Sequence, residues 1–164
     1  MLDLAAGKAG WSDALPAGRA RGLALHESFG SIVAQVVEVS LVGGTPRVHR
    51  VVCAIDCGTV INPGIVAQQM EGAVVFALTA ALYGRVDIHE GVVRQKNFYD
   101  YPMLQLAQAP LVQTYMVPST RTGRRGRAWC AAPGARLGRR VVHLNRQTYA
   151  FLAPVPLVVA GRPG

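Results

Sequence analysis

An α+β fold is what the chain predicts: a sheet rich in β-hairpins, one long buried helix and an irregular tail. Two patterns carry this. Between residues 22 and 56 short apolar runs alternate at period two around a Gly-Gly turn, and between residues 63 and 83 the period lengthens to that of a helix. Of the 164 residues, 51% are hydrophobic and 16% charged, which suits one modest packed domain rather than a disordered chain.

The first fifteen residues read as the end of a helix, with Leu2, Leu4, Ala5, Ala9 and Trp11 leading into the breaker Pro16-Ala17-Gly18. Three strands come next: GLALHESF, SIVAQVVEVSLV and RVHRVVCAID. In the second, Ile32, Ala34, Val36 and Glu38 face one way and Val33, Gln35, Val37 and Val39 the other. Both faces are largely apolar, as in a strand inside a larger body. Gly43-Gly44-Thr45-Pro46 closes a hairpin between the second and third strands, because glycines supply the positive φ such turns need.

Asp56-Cys57-Gly58 and Asn62-Pro63-Gly64 read as loop, with Asn62 placed to cap a helix. From about Pro63 to Tyr83, Ile65, Gln69, Gly72, Val75, Phe76, Thr79 and Leu82 recur at helical spacing until Gly84 ends the run. Gly91 to Tyr101 reads as a strand and turn, and Leu111 to Val117 as a last β run. Gln68, Gln69 and Glu71 interrupt the apolar stretch, so no run of the roughly 18 to 20 residues that span a membrane is expected, and no membrane partner. The first residues carry no basic stretch, apolar core and small-residue cleavage site of the secretory kind.

The net charge of +8 invites a nucleic-acid reading, since basic patches bind phosphates by releasing counterions. Its distribution argues against that. Residues 1–120 hold eight Lys and Arg against all nine acids, net −1, whereas residues 121–164 hold nine arginines and no acid, net +9. The arginines are not interleaved with aromatics as base stacking requires. Nucleic acid is therefore not an expected partner, although a small binding module with an Arg-rich tail for nucleic acid or an acidic partner is the competing reading.

Cys53, Cys57 and Cys130 form neither an even disulfide set nor a paired zinc pattern, and Cys53 and Cys57 read as packed thiols. His26, His49, His89 and His143 have no partner at ligand spacing, so no metal ligands are assigned.

Three stretches carry more information: GRARGLALHESFGSIVAQVVEVS, VHRVVCAIDCGTVINPGIVAQQMEGAVVFALTAALYG and QKNFYDYPMLQLAQAP. Over residues 20–120 they resemble the xanthine dehydrogenase and aldehyde oxidase family of molybdenum hydroxylases, in the branch of the isoquinoline 1-oxidoreductase β subunit. The DCGxxINPxxVxxQxEG spacing is the most specific part. The resemblance implies part of the molybdopterin-binding domain of a large subunit, and a parent enzyme that oxidises N-heterocycles or aldehydes with water as oxygen donor. It implies a molybdenum–pterin cofactor of the molybdopterin cytosine dinucleotide type, and as partners the rest of the large subunit and a small [2Fe-2S] subunit. Gln69 matches the family glutamine near the cofactor; Glu71 and Gly72 come after it, the glycine where backbone approaches a bulky ligand. Asn97 to Tyr101 match a family stretch whose aromatics suit a core or a subunit contact. The compartment is expected to be cytoplasmic, with the periplasm as the other setting for such enzymes.

Past Ser119 the resemblance stops. The family has there a GVGEPG loop whose glutamate is the catalytic base, an APALANA-type helix and a closing TGxRxRxLP; this chain has RTGRRGRAWCAAPGARLGRRVVHLNRQTYAFLAPVPL. Shifting each codon by one base lets Thr122–Trp129 read PGGVGEPG and Trp129–Arg140 read GAPPLAPALADA. Residues 121–164 are thus expected to be an out-of-frame, disordered basic tail, with Cys130, Trp129, His143 and Tyr149 in it by accident. The chain lacks a catalytic residue on this reading, and as a fragment it is expected to bind no cofactor and to be inactive alone.

Overall fold

The computed structural model describes residues 1–28 and 30–119; the tail expected from residue 121 lies outside them. Helix α1 (Leu2–Ala9) leads into strands β1 (Arg19–Ser28), β2 (Ser31–Val42) and β3 (Thr45–Asp56). Helix α2 (Pro63–Leu82) crosses over to a small hairpin, β4 (Ile88–His89) with β5 (Val92–Val93), then a 3-10 turn at Leu106–Gln108 and strand β6 (Leu111–Met116). The main sheet has the order β1-β2-β3-β6. Its first three strands are antiparallel and β6 runs parallel to β3, which requires the α2 crossover. This is the α+β class expected.

The central hairpin forms as the sequence predicts, with Val42 opposite Thr45 and a turn of Gly43 and Gly44 alone, at φ 58° and 81°. Positive φ at both positions matches the twist of the flanking strands, and other residues reach it only with strain. The first strand starts at Arg19, three residues before the apolar run at Gly22, because cross-strand pairing with Ser40, Val39 and Glu38 extends it.

The two faces of β2 separate as the alternation predicts. Ala34 and Val36, with Val52 and Ala54 of β3, pack under Ala5 and Ala9 of α1; Val33 and Val37, with Val51, Cys53 and Ile55, pack under Val66, Met70 and Val74 of α2. The alanines on both sides of the α1 contact let helix and sheet backbones approach closely.

Helix α2 spans twenty residues, and Asn62 caps it as expected: its Oδ1 accepts a hydrogen bond from Ile65 N at 3.2 Å. Its sheet-facing side is buried through Val66, Met70, Val74 and Ala77, and Thr79 is buried beside Leu104, whose N–H donates to Thr79 Oγ1 at 3.2 Å. Of the stripe read from spacing, Thr79 is thus buried, while Ile65, Gln69, Gly72 and Phe76 lie on the other side, where Ile65 is 55% and Phe76 58% exposed. Against the expectation drawn from Gln68, Gln69 and Glu71, α2 is long and apolar enough to cross a membrane by length and composition alone, with a mean hydropathy of 1.5. A core helix passes the same test, and the four residues seated on the sheet are core contacts.

Candidate functional site

The loop 57–62 and the start of α2 sit at the carboxyl ends of the parallel pair β3 and β6. Ile55 faces Met116 across that pair, and Val117 N donates to Ile55 O at 2.9 Å, so β6 leaves the sheet beside the strand that feeds α2. Within the loop, Gly58 N donates to Asp56 Oδ1 at 3.1 Å, an Asx turn. Turn and cap chemistry thus explain Gly58, Asn62 and Pro63 fully, as the sequence predicts.

Gln69 and Gly72 are both exposed, on the side of α2 that faces away from the sheet. At about 100° per residue, Ile65, Gln69, Gly72 and Phe76 lie within one narrow stripe. Glu71, also exposed, lies about 200° around the helix from Gln69 by the same spacing. The structure therefore brings two of the three sequence-predicted site residues together and leaves Glu71 on another flank.

Gly72 decides what this stripe can accept. A methyl group added there would meet nothing within 4 Å, so no neighbour among the described residues requires a glycine. A helix-interior glycine costs roughly 0.5–1 kcal/mol relative to alanine. The Gln69 amide likewise makes no hydrogen bond among the described residues. A flat apolar stripe with one free amide and one missing side chain fits a bulky planar ligand or a closely packed neighbour.

Cys53 and Cys57 behave as packing groups. Burial pushes the Cys53 thiol up to about 12, which leaves it protonated and inert, and burial also raises Cys57. Among the described residues no group of three or more His, Cys, Asp or Glu could hold a metal ion. His49 shares a 2.7 Å hydrogen bond with Ser40, a contact that sequence spacing did not signal. Phe98 and Tyr99 are 84% and 93% exposed, so they form no part of the core of the described residues.

Comparison with known proteins settles the kinship. A family model described as "Molybdopterin cofactor-binding domain" matches residues 13–110. The chain belongs to this family. It is 42% identical over 102 residues, 61% of its length, to the β subunit of isoquinoline 1-oxidoreductase of Brevundimonas diminuta, of which it covers 13%. It is 32% identical over 75 residues, 46% of its length, to the B subunit of nicotinate dehydrogenase of Pseudomonas putida, of which it covers 6%. Among solved structures, quinoline 2-oxidoreductase from Pseudomonas putida 86 superposes at a TM-score of 0.54 with 24% identity, over 66% of this chain and 15% of that one. This last likeness shows the fold. The chain thus spans 13% of the first relative's length and 6% of the second's, a small share of either. Helix α1 precedes the family match, whereas β1 to β5 and α2 lie within it.

Proposed function

We propose that this chain is a part of the large subunit of a molybdenum hydroxylase, and that the outer stripe of α2 is where it meets the molybdenum–pterin cofactor. The observation that carries the reading is Gly72: a helix glycine with open space above it, one turn from the free amide of Gln69. The amide can donate to and accept from a heterocyclic edge, and Gly72 lets such a ring system lie against the helix backbone. Ile65 and Phe76 flank them, and with a ring system seated on the stripe their exposed side chains would shield its edges from water. Glu71, on another flank, is a residue of the family motif without a place in this contact.

The cofactor supplies oxidation of an electron-poor carbon with oxygen from water; the chain supplies position and packing. In the parent enzyme the substrate would be an N-heterocycle or aldehyde, the pterin would be of the cytosine dinucleotide type, and electrons would leave through a small [2Fe-2S] subunit. Support for separate subunits comes from the names of the relatives themselves, a β subunit and a B subunit.

Alone, the chain is inactive on this reading. The glutamate base expected just past Ser119 is missing, and the one-base shift that restores PGGVGEPG over Thr122–Trp129 points to a lost frame rather than a different enzyme. Elemental analysis of the purified chain tests this: no molybdenum is expected, and stoichiometric metal with bound pterin overturns the inactive-fragment reading. The stripe is tested in a frame-restored large subunit, where Gln69→Ala should lower molybdenum occupancy and Glu71→Gln should not.

A further inference from the structure

On the α1 face of the sheet, cations stand in rows. Register sets Arg19, Ser40 and Arg47 side by side on β1, β2 and β3, and Arg21, Glu38 and Arg50 in the next row. Residues directly opposite in neighbouring strands lie about 4.5–5.5 Å apart, so the four arginines spring from two adjoining rows about 10 Å wide that hold one carboxylate. That carboxylate is already engaged: Glu38 takes Arg19 at 2.6 Å and Arg21 at 3.5 Å. Arg21 also donates to the carbonyls of Gly10 and Asp13, and Arg50 to those of Lys8 and Ala9 and to Gln113. Arg47 is exposed and makes no hydrogen bond or ion pair among the described residues.

A β-bulge at Glu38/Val39 brings one more group to this row. It adds His49 to the strand opposite, and His49 Nε2 lies 2.7 Å from Ser40 Oγ. The potential is felt at His49: burial, then Arg19 and Arg47, hold its pKa below 6.5, with Glu38 acting in the opposite sense. These are the charged groups that β1, β2 and β3 present to it.

We propose that Ser40, Arg47, His49 and the outward side of Arg19 form a binding site for a phosphoryl anion. Arg19 and Arg47 flank Ser40 in register, and a guanidinium's planar fork matches tetrahedral oxygens. With the ring hydrogen on Nε2, His49 donates to Ser40 Oγ, which turns the hydroxyl hydrogen outward to the anion. Several converging donors around one carboxylate favour a dianion over a single carboxylate. The site lies on the face of the sheet opposite α2, so it stands or falls independently of the cofactor stripe.

The test uses the full chain with inorganic phosphate and methyl phosphate, followed by calorimetry and by the imidazole resonances of His49, assigned through His49→Gln. Binding is expected to weaken at least tenfold in Arg47→Gln, whose tail is unchanged, and by severalfold in Ser40→Ala. The His49 titration midpoint should rise when phosphate is added. Tighter binding of the ester or of the free ion identifies the source of the phosphoryl group. Equal affinity in the wild type and Arg47→Gln would assign the ions to other arginines and overturn the proposal, as would an unmoved His49 midpoint. Succinate binding as tightly as phosphate would overturn the phosphoryl assignment in favour of an acidic peptide.

Discussion

Arg50 Nε donates to Gln113 Oε1 at 2.7 Å across 63 residues of sequence, while its Nη2 reaches Lys8 O at 3.0 Å. One guanidinium therefore ties the edge strand β6 and the C-terminal carbonyls of α1 to the centre of the sheet. Cations at a helix C-terminus also offset its dipole. Arg50→Ala should cost about 2 kcal/mol, the range for hydrogen bonds to charged groups. Denaturant unfolding measures the loss, and amide exchange in α1 should rise more than in β2.

The Asn62 cap is a simpler case. Its Oδ1 satisfies one of the free N–H groups at the start of α2, so Asn62→Ala should destabilise the chain by about 1 kcal/mol and Asn62→Asp by much less. An unfolding midpoint that does not move with Asn62→Ala would mean the cap bond is not held in solution.

Gly72→Ala should act in opposite directions in two contexts. In this chain, with open space above the position, the methyl group should stabilise α2 by about 0.5–1 kcal/mol. In a frame-restored large subunit loaded with cofactor, the same methyl group should lower molybdenum content. Gain in both settings would remove the close approach on which the cofactor stripe rests.

His49 predicts a pH dependence of stability. Its folded pKa lies below the unfolded value of 6.5, so as pH falls the unfolded chain takes up the proton first. The contribution is whole above pH 6.5 and is lost as pH falls through 6.5 toward the folded value. Chemical unfolding at about pH 7.5 and about pH 5.5, on either side of that window, should differ more for the wild type than for His49→Gln.

Much of the architecture was legible because local rules and packing agreed. Period-two alternation assigned Ala34 and Val36 to one face of β2 and Val33 and Val37 to the other, and each face then met its own helix. Helix α2 was legible in extent and cap but not in orientation. Val66, Met70 and Val74 form an apolar stripe as good as Ile65, Val75 and Phe76, and a helix apolar all round carries no signal of which side turns inward. The same ambiguity hid the split between Gln69 and Glu71: a linear motif keeps them two residues apart, and the helix places them on different flanks. The cationic rows were not legible either, since Arg19, Ser40 and Arg47 meet only through register, and His49 joins them only through a bulge.

We propose that the chain is part of a molybdenum hydroxylase large subunit, read correctly to about residue 120 and out of frame beyond it. Sequencing the coding DNA across codons 115 to 130 tests it directly. One base gained or lost there is predicted, with the restored frame encoding GVGEPG and its glutamate. An intact frame, with each arginine codon from Arg121 onward as written, would contradict it.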